Sequence, residues 1–197
     1  MRLLAVLLAL ALLPAVAEAS PWQGITALTV SADGGVFATG GREGEVVLRE
    51  TSTGEILGRW TNDALPVAGL SFSQDGSSLG VVLLNGVCST IRLADGSVSP
   101  SDTKTVWGTL NGAVDRALSR APVLYGVAAS SNGIDAKGLP DGTIQVSPPG
   151  SAAVTWQAHP AAVTALAFVS EGVLLSAGYD GSIGRWDART GRALGRL

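Results

Sequence analysis

The chain has 197 residues, enough for one compact domain behind a short leader, and carries a formal net charge of -3. That balance gives no basic surface for nucleic acid. Twenty-six glycines, 46% hydrophobic residues and only 15% charged residues point to short apolar strands joined by tight turns. Of the 13 basic residues only Lys104 and Lys137 are lysines, an arginine-heavy usage that accompanies GC-rich bacterial genomes.

The first twenty residues read as an export signal. Arg2 supplies a positive start, Leu3 to Leu13 an apolar run, and Ala17-Glu18-Ala19 the small residues that flank a cleavage site. The run falls short of the ~20 residues needed to span a bilayer. Residues 1–19 are therefore expected to be removed, in preference to forming a short core helix or a retained anchor. No cysteine stands at the junction, which argues against a lipid anchor. The expected product is periplasmic or secreted, and free of the membrane. The lone Cys88 has no partner for an internal disulfide and falls in a strand-like run, where a small buried side chain is the plainest reading.

Past the leader, short apolar runs and turn dipeptides recur. In the first unit Ile25, Leu28 and Val30 sit in a strand and Asp33-Gly34-Gly35 in a turn. Val36 to Gly40 follows, then Glu43-Gly44, Val46 to Leu48, Thr53-Gly54, and a last strand ending at Trp60. The second unit starts at Val67, 42 residues after Ile25, and turns at Asp75-Gly76 and at the hairpin dipeptide Asn85-Gly86. Its third strand ends near Leu93, and Ser97 to Leu110 reads as an extended polar link. Val163 lies 96 residues after Val67, twice 48, so a third unit is expected to begin near residue 115. Ala113-Val114 with Ala117-Leu118 would form its first strand and Val123 to Ala129 its second. Ser130 to Pro140 reads as an inserted surface loop, followed by a strand at Ile144 to Val146 and an outer strand at Val154 to Trp156.

The fourth unit is the clearest. His159-Pro160 precedes Val163, Leu166 and Phe168, and Leu174 to Gly178 form a second strand. Asp180-Gly181 turns the chain, Trp186-Asp187 closes the third strand, and Thr190-Gly191 leads into a fourth around Leu194. Asp180 precedes Trp186 by six residues.

This unit resembles the WD-repeat family, whose pattern has a histidine before a Val-x-x-Leu-x-Phe strand and an aspartate six residues before Trp-Asp. The resemblance implies that His159, Ser176, Asp180 and Trp186 form a hydrogen-bonded network that holds the blade and catalyses nothing. It implies an all-β fold, a WD-repeat-like β-propeller of about four blades of four antiparallel strands. The expected blades are about 24–62, 63–104, 105–158 and 159–197, within a domain of 20–197. An unrelated antiparallel sandwich would not keep a period of ~45 residues. Four blades are few for a ring, which leaves a fragment, closure at four blades, or a homodimer completing the ring. An open or partner-completed arc fits best, with the fourth blade left uncapped and an apolar face exposed.

No Gly-x-Ser-x-Gly elbow, metal-ligand spacing, phosphate loop or haem-attachment motif occurs, and the one histidine is absorbed by the repeat. The aspartates of Asp33-Gly34, Asp75-Gly76 and Asp141-Gly142 read as turn formers, not calcium ligands. The expectation is a non-enzymatic scaffold without cofactor that binds protein partners. The alternative is the N-terminal part of a larger periplasmic propeller enzyme or electron-transfer protein.

Overall fold

A computed structural model describes residues 24–62, 65–101, 127–129, 133–170 and 172–197. The leader and the expected strand at 113–118 lie outside the described residues. The rest is all β: four separate four-stranded antiparallel sheets, each a meander in chain order. Sheet 1 holds β1 (Ile25–Val30), β2 (Val36–Gly41), β3 (Glu45–Glu50) and β4 (Ile56–Thr61). Sheet 2 holds β5 (Val67–Phe72), β6 (Ser78–Leu83), β7 (Cys88–Arg92) and β8 (Val98–Ser101). Sheet 3 holds β9 (Val127–Ala129), β10 (Asp135–Gly138), β11 (Thr143–Ser147) and β12 (Val154–Gln157). Sheet 4 holds β13 (Val163–Ser170), β14 (Val173–Gly178), β15 (Ile183–Asp187) and β16 (Ala193–Arg196). This is the architecture of a WD-like four-blade propeller arc.

The turns form for local reasons. In the first hairpin the Ser31 hydroxyl donates to Asp33 Oδ1 at 2.5 Å and accepts from the Val36 amide at 3.1 Å. Ser73 and Asp75 repeat the device in sheet 2, with Ser73 Oγ 2.6 Å from Asp75 Oδ1. Each serine closes its turn by a side-chain bond to backbone, so the strands leave in register.

Alternating side chains then give each sheet two faces. Val46 and Leu48 of sheet 1 pack with Phe72, Leu79 and Val81 of sheet 2. Ile144 and Val146 of sheet 3 pack with Leu174 and Trp186 of sheet 4. A third core joins Phe37 of sheet 1 to Leu175, Ala177 and Ile183 of sheet 4. The sheets therefore stand in the order 2, 1, 4, 3, and among the described residues no core joins sheets 2 and 3.

Two expectations are corrected. The fourth sheet is not uncapped: its far face is covered by sheet 1, at the joint between the last repeat and the first. Among the described residues the open side lies between sheets 2 and 3, and there sheet 3 presents exposed Asp135, Lys137, Gln145 and Ser147 in place of an apolar face. Second, Ser130 to Pro140 is not an inserted loop. It contains β10, paired residue for residue from Asp135↔Ser147 to Gly138↔Ile144, and β9 is the innermost strand. Asp-Ala-Lys-Gly has little strand propensity, and its alternation of exposed and buried residues is what makes it a strand. The polar link from Ser97 likewise begins with β8, the outer strand of sheet 2.

One peg-and-socket joint recurs. Trp60 of β4 reaches the β7–β8 turn of the next sheet, where its Nε1–H donates to the Gly96 carbonyl at 3.0 Å. Trp156 of β12 lies against Gly191 of sheet 4, so close that a Cβ there would come within 2.8 Å of the indole. Leu197 takes the same part between sheet 4 and sheet 1, where a Cβ on Gly54 would stand 3.5 Å from Leu197 Cβ. Each socket glycine has a left-handed φ, 77° at Gly54, 69° at Gly96 and 71° at Gly191. Each peg follows its own sheet's turn glycine by six residues, and the residue so placed after Gly96 is Asp102. The corresponding socket on sheet 3, Gly150, has no described atom within 4 Å of a built Cβ.

Candidate functional site

The expected quartet comes together in sheet 4. Ser176 on β14 is fully buried, and His159, just before β13, is 1% exposed. Trp186 on β15 crosses back over the sheet, and its Nε1–H donates to Ser176 Oγ at 2.8 Å. Ser176 Oγ lies 2.7 Å from His159 Nε2. On the other side of the ring, Nδ1 lies 2.9 Å from Ser182 Oγ and 3.3 Å from Asp180 Oδ1. Ser182 Oγ in turn donates to Asp180 Oδ2 at 2.8 Å.

Donor counting fixes the protons. The indole can only donate, so Ser176 accepts from Trp186; Ser182 gives its one hydrogen to Asp180 and so accepts from His159 Nδ1, which leaves Nε2 to accept from Ser176. The ring proton is thus on Nδ1, facing Ser182 and Asp180. The imidazole is neutral. Burial pushes its pKa below the ordinary histidine value, and the Asp180 carboxylate opposes the shift without reversing it. Gly178 makes room for this chain, since a Cβ there would come 2.5 Å from His159 Nδ1. Sequence reading missed Ser182, which carries the bond between His159 and Asp180. Its only signal is the place two residues after the aspartate, where Thr143 follows Asp141 in sheet 3.

The chain from Trp186 through Ser176 to His159 is thus engaged inside the sheet, and Ser182 and the exposed Asp180 close it at the surface. The network ties β14 and β15 to the segment entering β13. Five turn aspartates sit on the surface with lowered pKa values. Asp75 is held at about 2, first by the Ser73 hydroxyl and then by Ser77. Asp33, Asp95, Asp141 and Asp187 shift the same way, led by hydrogen bonds from Ser31, Ser97, Thr143 and Thr190. Among the described residues no three of His, Cys, Asp and Glu gather as metal ligands.

Residues 150–187 match the family model of the WD domain, G-beta repeat. The match begins before β12, the outer strand of sheet 3, and ends on β15. The matched repeat therefore takes the outer strand of sheet 3 with the first three strands of sheet 4, and it includes His159, Ser176, Asp180 and Trp186. No curated protein matches the chain. Among solved structures, the computationally designed Ika4 protein is 21% identical over 84% of this chain and 91% of its own, with a TM-score of 0.34. The structure of U3-55K is 16% identical over 87% of this chain and 51% of its own, with a TM-score of 0.38. Scores this low carry no inference about this chain.

The turns from second to third strand mark one end of the arc. There Arg42 of sheet 1 hydrogen-bonds the Tyr179 hydroxyl of sheet 4, with its guanidinium 5.5 Å from the ring centre. Large apolar side chains are exposed on the same set of turns: Leu84 at 50% and Val87 at 51% in sheet 2, and Tyr179 at 49% in sheet 4.

Proposed function

We propose that the chain is an exported, non-catalytic scaffold that binds a protein partner through the end of the arc bearing Leu84, Val87 and Tyr179. The observation that carries this reading is the set of half-exposed apolar side chains, Leu84, Val87 and Tyr179, on the second-to-third-strand turns of sheets 2 and 4; the other exposed large apolar residues, Ile56, Leu57, Val98 and Leu194, lie on the outer strands. The WD repeat at 150–187 supports it, because such a repeat suggests an interaction scaffold. Export rests on the leader at residues 1–19 and makes the periplasm or the exterior the place of action. The net charge of -3 suits a protein partner better than nucleic acid.

Photocrosslinkers placed at positions 84, 87 and 179 in exporting cells test the reading. A discrete crosslinked protein from these sites, and none from positions 33 and 75 on the opposite turns, is the expected result. Equal labelling from both ends, or none from either, would reject it.

The open side between sheets 2 and 3 favours one further reading, a second copy that completes the ring. Light scattering on the mature protein distinguishes them: twice the chain mass supports the homodimer, and a stable monomer excludes it.

A further inference from the structure

The outer strands of sheets 1 and 4 share an irregularity. In sheet 1 Leu48 pairs with Gly58 and Arg49 with Ile56, so Leu57 is an extra residue bulged from β4. In sheet 4 Arg185 pairs with Gly195 and Trp186 with Ala193, so Leu194 is bulged from β16 in the same way. Each bulge lies three residues past the socket glycine of its last turn, Gly54 or Gly191. Among the described residues the register of β8 on β7 and of β12 on β11 is unbroken, and the residues three past Gly96 and Gly150 are Ser99 and Ala153. The bulged leucines stand in solvent, Leu57 at 52% and Leu194 at 39% exposure.

Exposed leucines scattered singly need no explanation. These two share one stretch of rim. Leu197, just past β16, lies against Gly54 on the last turn of sheet 1. Each bulged leucine is three residues from that contact, no more than about 10 Å of strand. The charges on its two sides are opposite. The residue after the socket glycine is Glu55 in sheet 1 and Arg192 in sheet 4, and both are exposed. Glu50 joins Glu55 on the first side, where Arg59 is neutralised by Glu45 with Nη1 2.5 Å from Oε1. Arg189 joins Arg192 on the second. Neither Glu55 nor Arg192 forms an ion pair among the described residues. The rim thus has an acidic half and a basic half, each carrying one bulged leucine.

We propose that this rim pairs with the same rim of a second copy, about a two-fold axis that lays sheet 1 of each chain on sheet 4 of the other. The arrangement sets Leu57 against Leu194 of the second copy and acidic half against basic half, twice over. The other two-fold, sheet 1 on sheet 1, would oppose like charges. The bulges bend both edge strands away from strand-to-strand pairing, so side chains make the contact. This dimer is not the one that completes the ring, because it uses the joint of sheets 1 and 4 and leaves the side between sheets 2 and 3 alone.

Sedimentation velocity on the full mature chain, over a range of concentrations at low and at high sodium chloride, tests the proposal. A monomer–dimer equilibrium is expected, weakened by salt because the charged halves lie at the surface. Leu57→Asp and Leu194→Asp should each raise the dissociation constant about tenfold or more. Glu55→Arg and Arg192→Glu should each weaken the dimer, and the two in one chain should return it to within about threefold of the natural chain. A loss of folding cannot imitate that recovery. Lys137→Glu, on the exposed face of sheet 3, should leave the equilibrium unchanged. A monomer at every concentration would overturn the proposal. So would a dimer indifferent to the rim substitutions, one that Lys137→Glu dissolves, or charge variants that fail to rescue each other.

Discussion

At the scale of single residues, Ser176 is the pivot of the quartet because one hydroxyl serves two buried neighbours. Ser176→Ala strands the Trp186 Nε1–H and the His159 Nε2 together, and an orphaned buried polar group costs about 1–3 kcal/mol. Urea unfolding should show that loss with an unchanged m-value. The pH dependence follows from His159. Its folded pKa is depressed, so the unfolded chain takes up the proton more readily. The stability is complete above pH ~6.5 and falls as pH drops through the ordinary histidine range towards the lower folded value. The turn aspartates act in a separate window. Asp75 is held at about 2, so its contribution is present above pH ~4 and is lost as pH falls towards that value. His159→Gln should be less stable at neutral pH yet lack the upper of the two phases, as read by thermal midpoints across pH. His159, Ser176, Asp180 and Trp186 were legible through the resemblance to the WD repeat, whose pattern places them. Ser182 was not, because a serine after Asp-Gly looks like any turn residue until the imidazole is seen to lean on it.

At the scale of elements, the socket glycines separate two costs that sequence alone merges. Gly76 and Gly191 share a left-handed φ, 69° and 71°, but a Cβ on Gly76 meets nothing within 4 Å whereas one on Gly191 meets the Trp156 ring. Gly76→Ala should therefore cost only the backbone strain of about 1 kcal/mol. Gly191→Ala should cost clearly more, because it also pushes sheets 3 and 4 apart; paired urea titrations decide it. Equal losses would show that the joint is soft. Most strands were readable from apolar runs between Asp-Gly, Asn-Gly and Glu-Gly turns. β10 was not, since a polar-alternating Asp-Ala-Lys-Gly strand carries its information in pairing, and pairing is invisible one strand at a time. Leu197 was equally opaque as a peg: only its place six residues after Gly191 links it to Trp60 and Trp156.

At the scale of the whole molecule, the order 2, 1, 4, 3 follows from which sheets share a core, and it makes the first and last repeats neighbours. The period announced the repeats but not where the arc opens. Among the described residues, no core joins sheets 2 and 3, and sheet 3 turns a polar face to that side. The contact of sheet 4 with sheet 1 is the claim on which the continuous rim, the Arg42–Tyr179 pair and the common end of exposed turns all depend. It can be tested with a disulfide, because the 3.5 Å between Leu197 Cβ and a Cβ built on Gly54 lies at the near edge of the range a disulfide spans. Gly54→Cys with Leu197→Cys, in a Cys88→Ala background, should close an intramolecular disulfide under mild oxidation. Intact-mass measurement of the monomer would register it. Thiols that stay free, or that pair only between chains, would contradict the docking of the last sheet on the first.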